Sequence, residues 1–179
     1  MFDVIHVDIW GGYNVLSILG AKYSLTIVDD HTRCTWIYLM KQKSDTRDLL
    51  VNFINMAENQ FNSKVKMIHS DNGVEFKLES FYAHKCIIHQ TSCINTPLQN
   101  GVAERKHRHL LNMARALILQ AGLSNQFWGD VILAFAYLIN RTPTPILHGK
   151  TPYEKLFNTV PNYSHLRVFG CLCFVSTHA

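Results

Sequence analysis

The sequence has no long hydrophobic run, no paired cysteines and no strong excess of charge. Its longest unbroken apolar stretch, residues 131–139, is far shorter than the roughly 20 residues that span a bilayer. Five cysteines form no Cys-x-x-Cys pair, and this odd number is typical of reduced thiols rather than a disulfide framework. No charged and then apolar leader opens the chain. We therefore expect a soluble protein that is not secreted and has no membrane partner.

The size and charge of the chain favour one compact domain. With 179 residues, of which 47% are hydrophobic, it can bury a core without disulfide bonds. The net charge of +4 and the pI near 8.8 are only mildly basic, so the position of the charges is more informative than their sum. We find no internal repeat, low-complexity tract or long linker. We predict one domain over residues 1–179, with its chemistry between about residues 4 and 121 and an extension of helices and one strand over 122–179.

Short runs rich in β-branched and aromatic residues predict three strands in close succession, over residues 4–9, 23–28 and 34–40. A helical pattern over about 44–61, with Ser44 as its N-cap, then leads to a strand over 65–69. Such a crossover predicts parallel pairing with an earlier strand. A turn at Asp71-Asn72-Gly73, where Gly73 is free to take a positive φ, precedes a short helix over 75–85 and a strand over 86–90. The predicted fold is α/β, with a five-stranded mixed sheet flanked by helices.

The second half of the chain is predicted to be mainly helical. Apolar positions recur at helical spacing from Ala103 to Ala121, with Gly122 as the C-cap. A second helix follows Ser124, and its Trp128 and Phe135 share an apolar face, so both are interpreted as core residues rather than as a base-stacking surface. A short helix over about 151–157 and a strand over 166–175 complete the prediction.

Three acidic residues stand at positions that local structure does not easily explain. Asp8 lies inside the first apolar strand, Asp71 directly follows a later one, and Glu104 is a lone acid on the otherwise basic side of its helix. For Glu104 alone, a structural explanation is available, because the helix macrodipole favours an N-terminal acid by about 0.3 to 1 kcal/mol. Placed together, three carboxylates repel one another unless a cation binds them. The pattern therefore indicates a site for Mg²⁺, which prefers oxygen ligands.

Such a cluster suits phosphoryl transfer. Two ions about 3.5 to 4 Å apart can activate the attacking oxygen and stabilise the leaving oxygen, so that no side-chain nucleophile is needed.

The sequence resembles the catalytic core of copia-type retrotransposon integrases over nearly its whole length. Five segments match in the family's order: 6–11 (HVDIWG), 28–33 (VDDHTR), 70–76 (SDNGVEF), 96–105 (TPLQNGVAER) and 165–171 (HLRVFGC). The resemblance implies a ribonuclease H-like fold and a catalytic triad of Asp8, Asp71 and Glu104 that binds two Mg²⁺ or Mn²⁺ ions. It also implies an enzyme that trims DNA 3′ ends and joins them to target DNA.

The same resemblance implies DNA and further copies of the chain as partners. Integration joins two DNA ends, and a homo-oligomer is therefore expected, whereas a small-molecule substrate is not. The family implies a nuclear location or a cytoplasmic particle, although no targeting signal is found. We expect Asn100, Arg105, Lys106 and Arg108 to contact DNA, since phosphate contacts come mainly from basic and amide side chains. The alternative is a solvated helix face.

Other polar residues receive local interpretations. Asp29 and Asp30 are expected to cap a hairpin turn, and Glu75 to open its helix as a first-turn acid. The run of His84, Cys86, His89 and Cys93 matches no common zinc spacing, and a strand is the favoured interpretation there.

Two departures from the family pattern leave alternatives open. The segment between Asp71 and Glu104 is a few residues shorter than is typical, with the shortfall between Phe76 and Cys86. The amino-terminal zinc module and the carboxy-terminal region of the family are expected to be absent. The alternatives are an inactive relic that keeps the fold and binds nucleic acid or integrase chains, and a nuclease that cuts RNA in RNA–DNA hybrids on the same fold.

Overall fold

A five-stranded sheet organises the computed structural model, which describes residues 1–92 and 101–172. Its strands are β1 (Val4–Gly11), β2 (Tyr23–Asp29), β3 (Thr35–Met40), β4 (Met67–Ser70) and β5 (Ile88–Thr91). Their order across the sheet is β3-β2-β1-β4-β5. The first three strands form an antiparallel meander, while β4 pairs parallel with both β1 and β5. The predicted mixed sheet is confirmed, including the parallel strand after the crossover helix.

Helices cover both faces of this sheet. They are α1 (Thr46–Phe61), α2 (Glu79–Lys85), α3 (Gly101–Ala121), α4 (Trp128–Ile139) and α5 (Pro152–Phe157). Single 3₁₀ turns occur at Lys43–Asp45, Val74–Phe76, Asn125–Phe127 and Pro145–Leu147. Within the described ranges, no helix is both long enough and apolar enough to cross a membrane.

Alternation along β1 divides its side chains between two cores. Ile5 and Val7 are fully buried in the core that α1 covers, next to Phe53. Trp10 packs instead in the cluster that includes Trp128 of α4. Because successive side chains of a strand point to opposite faces, Asp8 shares the face of Trp10 and points toward the layer of α3 and α4.

The short helix α2 keeps a defined packing position despite the reduced length of this segment. Tyr82 is buried, and its hydroxyl donates a hydrogen bond of 2.9 Å to the carbonyl oxygen of Phe76. Lys85 forms an ion pair of 2.6 Å with Glu58 of α1. The shortfall before Cys86 therefore leaves a helix that still docks on the rest of the domain.

Three local predictions differ from the structure. Ser44 does not cap α1, because a 3₁₀ turn precedes the helix and the Asp45 carboxylate accepts the N–H groups of Lys41 and Gln42. Gly73 has a φ of −56°, so it does not use the positive φ that was expected. The strand predicted from residue 166 does not form over 166–172, and its remaining residues lie outside the described ranges.

Candidate active site

Asp8 lies in the middle of β1, and its carboxylate is held from two directions. The residue is paired with Thr26 across the β1–β2 ladder, and 15% of its side chain is exposed. Its Oδ1 accepts a hydrogen bond of 2.9 Å from the backbone N–H of Ile9. Its Oδ2 lies 2.9 Å from Nδ1 of His107 on α3. The position of this carboxylate is therefore fixed by both strand and helix.

His107 connects α3 to the two central strands. Its side chain is 10% exposed, and its Nε2 lies 2.6 Å from the Thr26 hydroxyl oxygen. An ionised carboxylate can only accept hydrogen bonds, so Nδ1 donates to Asp8, and Nε2 forms the second hydrogen bond of the ring, with the Thr26 hydroxyl. In the sequence, His107 follows Ala103 and precedes Leu110 at helical spacing, which predicts a buried position but no partner. A polar residue at such a buried position, one helical turn after Glu104, is the signal that could have identified its role.

Asp71 directly follows β4, the strand next to β1. Its Oδ1 accepts the backbone N–H of Gly73 at 2.9 Å. The residue as a whole is exposed, but partial burial of its carboxyl raises its pKa, and the negative charges of Asp8 and Glu75 raise it further. Asp8 and Asp71 are thus close enough for their charges to repel, as the predicted acid cluster requires.

Gly73 matters here for its missing side chain. A Cβ at this position would lie 2.9 Å from Oδ1 of Asp71 and 3.1 Å from Oε2 of Glu75. Any larger residue would therefore displace one of these carboxylates.

Glu75 has a wider electrostatic role than the sequence analysis gave it. It lies in the 3₁₀ turn Val74–Phe76 and does not open α2, which begins at Glu79, so its expected role as the first-turn acid of a helix over 75–85 is wrong. Its side chain is only 11% exposed and forms a 3.4 Å ion pair with Lys43. Because its charge also raises the pKa of Asp71, it adds to the negative potential beside the predicted site.

Glu104 stands in the first turn of α3 and is partly buried. Residues three positions apart share a side of a helix, so Glu104 lies one turn before the His107 that contacts Asp8. In the parts of the chain that the structure describes, however, no three His, Cys, Asp or Glu side chains are close enough together to hold a metal ion. The structure thus associates Asp8 with Asp71, while the inclusion of Glu104 in a triad stays a prediction.

The residues predicted to contact DNA do not form a single surface. Asn100 lies outside the described ranges. Arg108 is exposed and, four residues after Glu104, lies on the same side of α3. Arg105 and Lys106 line a cavity that they share with Arg33; we call it the basic cavity. Burial lowers the pKa of Lys106, and the charge of Arg33 acts in the same direction.

Of the two acids interpreted as turn caps, Asp29 has that role, whereas the Asp30 carboxylate contacts side chains. Asp29 is fully buried and accepts the N–H groups of Phe2 at 2.7 Å and Thr32 at 2.9 Å. Oδ1 of Asp30 accepts a hydrogen bond of 3.1 Å from Nε2 of His6 and forms an ion pair of 3.0 Å with Arg33. Both carboxylates therefore stabilise the β2–β3 hairpin.

The strand that was favoured in place of a zinc site forms as β5, Ile88–Thr91. Cys86 ends α2 in a left-handed conformation and is exposed, while His89 bonds the Ser70 hydroxyl at 2.8 Å. Cys93 lies outside the described ranges. Trp128 and Phe135 are 3% and 8% exposed, which confirms their place in the core.

Comparison with known proteins identifies relatives of this chain. The family model described as integrase core domain matches residues 1–97. The retrovirus-related Pol polyprotein from transposon RE1 of Arabidopsis thaliana is 40% identical over 173 residues, which are 96% of this chain and 12% of that protein. The corresponding polyprotein from transposon TNT 1-94 of Nicotiana tabacum is 34% identical over 177 residues, 97% of this chain and 13% of that protein. The chain thus spans about one eighth of the length of these relatives.

A solved structure shows the same fold. The HTLV-2 integrase catalytic core domain, determined in complex with magnesium in a trimeric form, superposes with a TM-score of 0.62 over 87% of this chain and 96% of that domain. At 17% sequence identity, this similarity concerns the fold alone, which is ribonuclease H-like. The sheet order, the matching family model and the similarity to the transposon polyproteins agree, and the chain belongs to the integrase core domain family.

Proposed function

We propose that this chain is the catalytic core of a copia-type retrotransposon integrase, a metal-dependent polynucleotidyl transferase that trims DNA 3′ ends and joins them to target DNA. The observation that supports it most directly is the proximity of Asp8 in β1 to Asp71, which directly follows the neighbouring strand β4; both carboxylates are partly buried. The two negative charges repel each other, and a bound cation would offset this repulsion. The family membership of the chain supplies the reaction class.

The chemistry of the donor set fits a hard divalent cation. Asp8 and Asp71 offer carboxylate oxygens, and Glu104 would add a third carboxylate from the first turn of α3. When bound, Mg²⁺ or Mn²⁺ ions would activate the attacking oxygen and stabilise the leaving oxygen of a phosphodiester.

The protein's own contribution is to hold these carboxylates in place. His107 restrains Asp8 through Oδ2, and the amide of Gly73 restrains Asp71 through Oδ1. Arg108, exposed beside Glu104, would bind a DNA phosphate close to the reacting strand.

We also propose DNA and further copies of the chain as its partners. Joining two DNA ends to one target requires two cores, so the working form would be a homo-oligomer acting in the nucleus or in a cytoplasmic particle. The trimeric form of the HTLV-2 core is consistent with self-association in this fold.

The proposal can be tested on the chain as it stands. By microscopic reversibility, a site that joins a 3′ end to target DNA also catalyses the reverse release from a branched DNA. That substrate presents all the reacting groups in one molecule and removes the need for two aligned ends. We expect release of the labelled strand with Mg²⁺ or Mn²⁺ and none with EDTA. Cleavage of an RNA–DNA hybrid without strand release would instead support the alternative of a nuclease that cuts RNA in such hybrids. Inactivity on both substrates would support the alternative of an inactive relic that keeps the fold.

Two substitutions at His107 separate its two hydrogen bonds. The Asn amide nitrogen can take the place of Nδ1, so His107→Asn should keep the contact with Asp8 and lose the contact with Thr26. The Gln amide reaches the position of Nε2, so His107→Gln should do the reverse. We expect His107→Asn to release strand at least tenfold faster than His107→Gln, at matched thermal stability. Equal rates for the two variants would show that the histidine has a purely structural role.

Arg108 is expected to contribute to DNA affinity through its charge. Arg108→Ala should weaken binding of duplex DNA and reduce the steepness with which the affinity falls with salt, because one fewer counterion is released. Fluorescence anisotropy at a series of NaCl concentrations measures both quantities. An unchanged salt slope would assign Arg108 to the solvated face of the helix.

A further inference from the structure

The basic cavity lies on the side of α3 away from Glu104 and has a volume of about 390 Å³. Its cationic lining comes from Arg33 at the end of the β2–β3 hairpin and from Arg105 and Lys106 of α3, with His109 one turn further along the helix. Its walls are otherwise largely apolar: Val28, Val102, Ile139, Pro143, Ile146 and Pro152. Among the described residues that line the cavity, none is acidic.

Arg105 and Lys106 form no ion pair with a described carboxylate, and Lys106 is the more buried of the two. Within residues 1–92 and 101–172, no carboxylate lies within 4.0 Å of its ammonium group. The nearby Cys34 thiol cannot supply the missing charge, because burial raises its pKa to about 12 and it stays neutral. Arg33 already has a partner in Asp30 at 3.0 Å. A partly buried cation without a counter-charge is costly, and an anion that enters the cavity would offset that cost.

The shape and the walls of the cavity restrict the kind of anion. Its volume falls within the roughly 300 to 1,000 Å³ of typical small-molecule sites, which is more than a bare inorganic ion needs. Apolar walls beside a basic group favour a ligand with a flat or apolar body and one anionic group. A nucleoside monophosphate has both parts, since its base offers an apolar face and its phosphate accepts hydrogen bonds from Lys and Arg.

We propose that the basic cavity binds a nucleotide, with its phosphate on Lys106 and Arg105 and its base against the apolar wall of Ile139 and Ile146. The size of the cavity, its positive charge and its apolar walls favour an organic phosphate as the ligand. This inference does not depend on the proposed catalytic activity. The choice of a nucleotide, either free or as one unit of a DNA strand, rests on the proposed function. The site is distinct from the predicted acid triad because it uses the opposite side of α3.

Binding of 5′-deoxyadenosine monophosphate (dAMP) to the purified chain, measured by calorimetry, tests this proposal. We expect saturable binding that Lys106→Met weakens at least tenfold. Arg115→Met is the matched control, since it removes the same charge from an exposed position of the same helix that does not line the cavity, and it should change the affinity less than twofold. Met preserves length and helix propensity, so Lys106→Met should fold with unchanged or higher thermal stability. No binding to the wild-type chain, or equal loss in both variants, would overturn the proposal.

Two further ligands measure how much the phosphate and the nucleoside each contribute to binding. Deoxyadenosine should bind much more weakly than dAMP if the phosphate is held by the cations. Inorganic phosphate should also bind more weakly if the apolar wall contributes. Methyl resonances of Ile139 and Ile146 in the wild-type chain should shift with dAMP, a result that needs no variant. If inorganic phosphate binds as tightly as dAMP and these resonances do not move, the proposal of a nucleotide site is wrong.

Competition distinguishes the two sources of the nucleotide. A short single-stranded oligonucleotide should displace dAMP if the cavity takes a unit of DNA, and should leave dAMP bound if it takes a free nucleotide; either result supports the cavity. Glu104→Gln should bind dAMP like the wild-type chain, because Glu104 does not line the cavity. Failure of strand release with intact dAMP binding would therefore count against the proposed catalysis alone, whereas the reverse pattern would count against the cavity alone.

Discussion

Asp8→Asn should abolish strand release from branched DNA and remove the stabilisation that Mg²⁺ gives to the folded chain. The substitution keeps the shape of the side chain but exchanges a charged oxygen for an uncharged amide group. A cation that binds the folded state stabilises it by mass action, by about 2.7 kcal/mol when its concentration is 100 times its dissociation constant. Removing a ligand charge from a two- or three-carboxylate site should reduce that increment to near zero.

Thermal unfolding of both chains in the presence and absence of millimolar MgCl₂ measures this effect. Asp3→Asn is a suitable control, since Asp3 lies just before β1 and its exposed side chain forms a surface ion pair with Lys66 at 3.0 Å. It should leave both the Mg²⁺ increment and strand release intact. If the wild-type chain gains no stability from Mg²⁺, with or without branched DNA, the carboxylates do not form a metal site and the inactive relic becomes the better account.

The sheet could be predicted from the sequence because each of its strands has a local signature. The runs at β1, β2 and β3 alternate or are continuously apolar, and the helical crossover before β4 determines its parallel direction. The prediction for residues 166–172 was wrong because alternation alone does not make a strand. Gly170 has a φ of +80°, and Val168 and Leu172 are 73% and 82% exposed, so these two apolar side chains do not pack against the core.

The acidic residues of the candidate site could be predicted from the sequence, but the residues that contact them could not. Asp8 and Asp71 stand out because acids are rare within or directly after buried strands. The contact of His107 with Asp8 and Thr26 depends on the register of β1 against β2 and on the rotation of α3 over both strands. Helical periodicity predicts which side of the helix a residue occupies, but it does not predict which residue of another element it contacts. For the same reason this periodicity grouped Arg105, Lys106 and Arg108 as basic, although the fold places two of them in the basic cavity and the third in solvent.

Glu104→Gln should abolish strand release while leaving the stability of the fold almost unchanged. If Glu104 is the third ligand of the metal site, its charge is essential to the reaction, and a neutral amide of equal size cannot replace it. If Glu104 only offsets the macrodipole of α3, the substitution costs about 0.3 to 1 kcal/mol of stability and leaves the rate intact. Strand release and thermal unfolding of the same preparation therefore separate the two interpretations.

Glu79→Gln is the matched control for this experiment. Glu79 is also a first-turn acid, on α2, and it is exposed. Both variants lose one charge at a helix N-terminus, so the macrodipole predicts similar small losses of stability for the two. Only the ligand interpretation predicts that Glu104→Gln is inactive while Glu79→Gln is active. Activity retained in both variants would exclude Glu104 from the triad, and any metal site would then consist of Asp8, Asp71 and groups supplied by the DNA.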